Sequence, residues 1–172
     1  MAPDPDESPH RRLQLPTGEQ VTILASGRDN DGEVFEVEAV LPPRLAGPPR
    51  HRHRWQTETF TVLEGRLRVV VGRDVRVLDP GEAVSVPPTV VHGFANPFPE
   101  PARIRMRETP AGPLEEQFDA LVTAGRLPPL GQLAEINVRH GLSFSLHGIP
   151  DVVQRPAWRA MAWVHGRSRR RS

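Results

Sequence analysis

Residues 47–58 read Gly47-Pro48-Pro49-Arg50-His51-Arg52-His53-Arg54-Trp55-Gln56-Thr57-Glu58, and a turn follows at Glu64-Gly65. In pattern form this is H-x-H-x4-E-x6-G. Along a β-strand, residues two apart share a face and lie roughly 6.5–7 Å from one another. His51 and His53 can therefore turn inward together, each with a ring nitrogen ~2.0–2.1 Å from one shared metal ion. A break in the strand around Trp55–Gln56 returns Glu58 to that same face, with Phe60 and Val62 continuing it. A carboxylate aimed into an apolar interior is costly unless a cation or a donor meets it. A metal ion answers that cost.

A second segment, Gly81-Glu82-Ala83-Val84-Ser85-Val86-Pro87-Pro88-Thr89-Val90-Val91-His92-Gly93-Phe94-Ala95-Asn96, reads G-x5-P-x4-H-x3-N. His92 sits on a strand whose same-face neighbours are Val90, Phe94 and Asn96. Between Gly65 and Gly81 there is room for one tight hairpin.

Outward from these segments, residues 13–109 are short β-like runs punctuated by Gly and Pro. The runs are Gln20–Ala25, Glu33–Leu41, Thr57–Leu63, Leu67–Val71, Val75–Leu78, Ala83–Val86, Val90–Ala95 and Arg103–Glu108. Turns fall at Asn30-Asp31-Gly32, Gly72-Arg73-Asp74 and Asp79-Pro80-Gly81. Arg103, Arg105 and Arg107 alternate with Ile104 and Met106, one wet face and one dry. The expectation is an all-β sandwich or barrel.

After Thr109 the period becomes helical. Leu114, Phe118, Leu121 and Val122 share a face, with Pro113 near the start and Gly125 past the end. Leu130 to Val138 predicts a second helix stopped at Gly141, and Pro156 to His165 a third. Residues 1–12 are expected to be a disordered leader, 110–166 a helical extension packed on the barrel, and 167–172 a basic tail.

Composition narrows the chemistry. The 172-residue chain has no Cys, no Tyr and no Lys, and its formal net charge is +1. Thiol nucleophiles, Schiff-base lysines and tyrosine acids are thereby excluded. No apolar run approaches the ~18 residues that span a bilayer, and the N-terminus shows no signal-peptide pattern. A cytoplasmic protein without membrane or nucleic-acid partners is expected.

The two quoted segments resemble the paired signature motifs of the cupin superfamily, in the right order and spacing. One position departs from the pattern: Thr89 stands where family members usually carry Gly, in a turn that often needs positive φ. The resemblance implies a double-stranded β-helix (jelly-roll barrel) of two antiparallel sheets, often a homodimer. It also implies a metal set on His51, His53, Glu58 and His92. Three imidazoles and one carboxylate suit a divalent transition metal, with Fe(II) favoured and Mn, Ni, Cu or Zn also compatible.

Fold does not settle the reaction. The leading expectation is a mononuclear metal enzyme on a small organic molecule, an O₂-using dioxygenase similar to quercetin dioxygenase. Glu58 would then be ligand and general base. Trp55, Phe60, Val62, Val90 and Phe94 would wall an apolar or aromatic substrate, although Trp55 and Phe94 serve equally well as core. The alternatives are a polyketide cyclase or isomerase using the metal as Lewis acid, and a non-catalytic binding module. Arg50, Arg52 and Arg54 should face away from the metal, and Asn96 should cap a turn.

Overall fold

The computed structural model describes residues 10–169. Its elements in chain order are β1 (Arg12–Gln14), β2 (Gln20–Ala25), β3 (Phe35–Leu41), β4 (His51–His53), β5 (Thr57–Glu64), β6 (Leu67–Val71), β7 (Asp74–Leu78), β8 (Ala83–Val86), β9 (His92–Ala95), β10 (Ala102–Thr109), α1 (Leu114–Ala124), α2 (Leu130–Arg139), β11 (Phe144–Leu146) and α3 (Asp151–Arg169). The strands form two sheets, ordered β1-β2-β3-β10-β5-β8 and β11-β4-β9-β6-β7. Every strand pair is antiparallel.

The alternation read in the sequence sorts side chains between faces. On β10, Ile104, Met106 and Glu108 are buried while Arg103, Arg105 and Arg107 lie outside. The arginines cross to acidic residues on neighbouring strands: Arg103 to Glu64 at 2.6 Å, Arg105 to Glu38 at 2.7 Å and Arg107 to Glu36 at 3.3 Å. Between the sheets, Phe35, Val37, Leu41, Phe60, Val62, Leu67, Val69 and Ile104 make one apolar core, and Leu114, Phe118 and Leu121 of α1 pack against it. Burying each such side chain stabilises the fold by about 1.5–3 kcal/mol.

The C-terminal extension has its own small core of Ala134, Leu142 and Trp158 between α2 and α3. It is not wholly helical. Phe144-Ser145-Leu146 forms β11, which pairs with β4 in the register Phe144↔His53, Ser145↔Arg52 and Leu146↔His51. Flanking backbone bonds run from Arg54 N–H to Ser143 O at 2.7 Å and from His147 N–H to Arg50 O at 2.9 Å. The outer edge of β11 is covered by amide side chains. Asn137 exchanges two hydrogen bonds with the Phe144 backbone, at 3.0 and 3.1 Å. Gln154 does the same with Leu146, at 2.9 and 3.1 Å.

Three boundaries differ from the sequence reading. Residues 1–9 of the leader lie outside the described residues, but Arg12 opens β1, paired with Thr22. Arg11 is tied to α1 through Asp119 at 2.6 Å and Glu115 at 3.1 Å. The third helix begins at Asp151 and contains Pro156; the acidic Asp151, favoured in a first turn, is the true start signal. The same helix runs through Arg167, Ser168 and Arg169, so that part of the tail is helical; residues 170–172 lie outside the described residues. Among the described residues, no helix is long and apolar enough to cross a membrane.

Candidate metal centre

The histidine strand β4 is three residues long, and its placement is fixed from several sides. Before it, Gly47 has φ 73°, and a Cβ there would fall 1.9 Å from Phe94 O, so only glycine lets the chain pass β9 this closely. After it, the strand breaks at Arg54–Gln56 and resumes as β5, which brings Glu58 round as expected. His92 opens β9 in register with His51. His51, His53, Glu58 and His92 are all buried. Ring centroids of His51 lie 4.9 Å from His53 and 4.5 Å from His92. One ligand atom from each of the four residues lies within 4.8 Å of all the others. Donors ~2.0–2.2 Å from a common ion would span roughly 4 Å, so the four side chains could hold one metal ion.

Ring orientation supports that fit. His51 Nδ1–H donates to Pro49 O at 2.8 Å and His92 Nδ1–H to Val90 O at 2.9 Å. In each case the acceptor is the carbonyl two residues earlier. Such bonds fix the tautomer and leave Nε2 as the free nitrogen of the neutral ring. His92 Nε2 then faces Glu58 Oε2 at 2.6 Å, and His53 Nε2 faces the same oxygen at 3.5 Å. A carboxylate oxygen and a ring lone pair in such proximity repel unless a proton or a cation lies between them. Neither ring nitrogen of His53 has a hydrogen-bond partner among the described residues, although both are buried. Buried polar atoms are rarely left so, and coordination accounts for one of the two.

The charges are strongly biased. Burial pushes the His51 pKa down to about 4, which keeps the ring neutral and available as a ligand. Burial alone would raise the Glu58 pKa, but its contacts with His53 and His92 outweigh that and hold the carboxyl well below its usual range. Burial likewise opposes a charged His53, yet Glu58 and Glu108 together raise its pKa above the ordinary value.

Glu108 belongs to this cluster and was not among the expected site residues. It is 0 % exposed, stands opposite Glu58 in the β5–β10 register, and lies 3.6 Å through Oε1 from His53 Nδ1. Burial raises its pKa to about 7. The signal was present in the sequence, since Glu108 follows Ile104 and Met106 on the dry face of β10. Phe144 is the second addition: its ring stacks 4.9 Å from His51 and 6.2 Å from His53, covering the histidine pair from the extension. Phe144 also lines an apolar cavity of about 170 Å³ bounded by Leu121, Leu133 and Trp158.

The expected pocket residues divide. Phe60 lies 6.4 Å from His92 and 5.2 Å from Phe94, ring to ring, beside the cluster. Phe60 and Val62 are both fully enclosed in the core, while Val90 and Phe94 are half-buried against it. Trp55 is 45 % exposed, carries the Arg54 guanidinium 4.8 Å from its ring, and lies against Gly141. It packs under the extension, away from the core. Arg52 turns outward to Asp151 at 2.6 Å, and Arg50 to Gly72 O. Asn96 caps the turn after β9, donating to Pro42 O at 3.0 Å and Glu100 O at 2.9 Å and accepting from Phe98 N–H at 3.2 Å. Thr89 keeps the left-handed turn, with φ 71°.

Known proteins share parts of this sequence and fold. Residues 37–106 match the Cupin_2 family model, described as a cupin domain. An 84-residue stretch is 32% identical to quercetin 2,3-dioxygenase from Bacillus subtilis (strain 168), covering 47% of this chain. That match spans 24% of the relative, about a quarter of its length. Among solved structures, an RmlC-like cupin from Shewanella frigidimarina NCIMB 400 superposes with TM-score 0.51 at 24% identity, over 60% of this chain and 86% of the other. A sugar phosphate isomerase of the cupin superfamily from Silicibacter pomeroyi DSS-3 gives TM-score 0.51 at 23% identity, over 63% and 75%. These likenesses show a shared fold.

Proposed function

Taking as premise that this chain carries a cupin domain, we propose that it is a mononuclear metal-dependent enzyme acting on a small organic molecule, and that its reaction is an O₂-using dioxygenation. The observation that carries the metal reading is the convergence of His51, His53, Glu58 and His92, with the outer nitrogens of His51 and His92 already bound to backbone carbonyls. The stretch similar to quercetin 2,3-dioxygenase supports the reaction class.

A bound divalent transition metal, Fe(II) foremost, would supply Lewis acidity and one-electron chemistry toward O₂. The chain's residues do the rest. His51, His53 and His92 would present ring nitrogens to the ion, and Glu58 contributes a negative charge that its low pKa maintains. Glu58 is also placed to accept a proton from a substrate hydroxyl at a carboxylate oxygen. Phe144 beside His51 and Phe60 beside His92 exclude water from the cluster, and Val90 and Phe94 offer half-buried apolar surface for an aromatic substrate. The working unit in this reading is a cytoplasmic homodimer, which sedimentation and cell fractionation would test.

The test is metal content together with oxygen uptake. Protein loaded in turn with Fe(II), Mn, Ni, Cu and Zn is offered flavonols and other hydroxylated aromatics in an oxygen-electrode cell. Stoichiometric uptake with one metal supports dioxygenation. Turnover without oxygen uptake overturns it in favour of Lewis-acid cyclisation or isomerisation, and tight ligand binding without turnover overturns the enzyme reading.

A further inference from the structure

The three histidines are not held alike. His51 and His92 each donate Nδ1–H to the carbonyl two residues back, Pro49 O and Val90 O. For His53 the carbonyl two residues back belongs to His51, a ligand residue itself, and no such bond forms. His53 Nδ1 instead faces Glu108 Oε1 at 3.6 Å, and both atoms are buried without a hydrogen-bond partner among the described residues.

We propose that Glu108 is the positioning residue for His53, its carboxylate accepting the Nδ1–H so that Nε2 is held toward the metal. This rests on the reading of His51, His53, Glu58 and His92 as ligands. A movement of under ~1 Å closes the gap to hydrogen-bond distance. A ligated imidazole is a stronger donor than a free one, and carboxylate acceptors behind ligand histidines tune both orientation and basicity.

Glu108 is itself anchored. Its Oε2 accepts the Gly112 N–H at 2.9 Å, leaving Oε1 for the ring. A Cβ on Gly112 would fall 2.7 Å from Oε1, so glycine is what allows the backbone to grip one oxygen without displacing the other. Glu108 is not among the four residues whose ligand atoms converge, and its contact with the cluster is through His53 Nδ1. One ligand of the three is thus oriented by a charge, and two by dipoles.

The experiment uses the full chain loaded with Co(II). Affinity is read by competition with a chromophoric chelator, and the ring N–H protons as hyperfine-shifted, solvent-exchangeable resonances. In Glu108→Gln, Co(II) affinity should fall about 10–100-fold. One of the three exchangeable resonances should move or vanish while two stay, and the metal-free variant should melt no lower than wild type. Glu108→Asp, which restores the charge on a shorter arm, should recover part of the affinity, and it carries the test if Glu108→Gln does not fold. Affinity within about twofold of wild type with all three resonances in place overturns the proposal. Lost affinity with all three displaced also overturns it, because the whole site has then collapsed. A wild-type chain that takes up no Co(II) overturns the ligand reading as well, whereas equal uptake by wild type and Glu108→Gln overturns the role of Glu108 alone.

Discussion

Glu58 and Glu108 stand directly opposite each other on β5 and β10, both buried, and their acidities are driven in opposite directions. Glu58 meets two histidines and stays ionised; Glu108 is raised to about 7 by burial. Two carboxylates this close ionise together only with positive charge between them.

That pairing sets a pH dependence for the metal-free protein. The folded pKa of Glu108 is about 7 against an ordinary 4.5. A raised acid contributes stability that is fully present below the ordinary value and lost as pH rises through the folded one. Glu108→Gln removes that loss. The two proteins should match near pH 4.5, and the metal-free variant should be the more stable by up to roughly 3 kcal/mol above pH 8. Urea unfolding in the presence of chelator at the two pH values measures the difference, and an equal gap at both would show that Glu108 does not titrate in this range.

Glu58 and the histidines should separate by variant. Removing Glu58 leaves three nitrogens, a set sufficient to retain zinc elsewhere. Glu58→Gln should therefore lose less metal than His51→Ala or His92→Ala, while its turnover falls by ~10²-fold or more if the carboxylate is the base. Metal content beside kcat for all three variants makes the comparison. Full metal and full activity in Glu58→Gln would leave the carboxylate a bystander.

Thr89 holds a left-handed backbone conformation that glycine adopts without strain. A β-branched residue at φ 71° costs of order 1–3 kcal/mol. Its N–H also bonds His53 O at 2.7 Å, so the turn ties the second motif to the histidine strand. Thr89→Gly should preserve that bond and stabilise the protein by about 1 kcal/mol, since glycine's extra unfolded-state entropy offsets part of the relief. Thermal melting of the metal-free pair checks the sign, and a lower melting temperature would mean that the Thr side chain is used elsewhere.

The amide clamp on β11 reaches the candidate metal site indirectly. Asn137→Ala breaks two hydrogen bonds to half-buried backbone at Phe144, for a loss of about 1–3 kcal/mol. Because β11 holds β4, metal affinity should weaken in the folded variant although residue 137 touches no ligand. Chelator competition reads this; unchanged affinity would show that β4 stands without its neighbour.

The four converging residues were readable because strand geometry is local: a period of two puts His51 and His53 on one face, and a short break returns Glu58 to it. Asn96 was readable for the same reason, as a short side chain among turn residues. Glu108 was readable in principle, from a carboxylate continuing the dry face of β10, but its partner His53 lies 55 residues earlier in the chain, on β4 of the opposite sheet, and only the packing of the two sheets brings them together. Phe144 and β11 carry no such signal. Three residues between two helices show no period, and what makes them a strand is the vacant edge of β4 on one side and the amides of Asn137 and Gln154 on the other. The third helix was shortened because Pro156 looked like a first-turn residue, whereas Pro150 and Asp151 form the true start.

Proteins emerge from the ribosome N-terminus first, and domains often begin to fold before synthesis ends. The histidine strand is made first, and the segment that flanks it along its full length is made nearly a hundred residues later. The nascent barrel therefore waits with His51 and His53 on an open sheet edge until Phe144–Leu146 arrives. A ribosome that stops before residue 144 leaves His51 and His53 without the strand that flanks them.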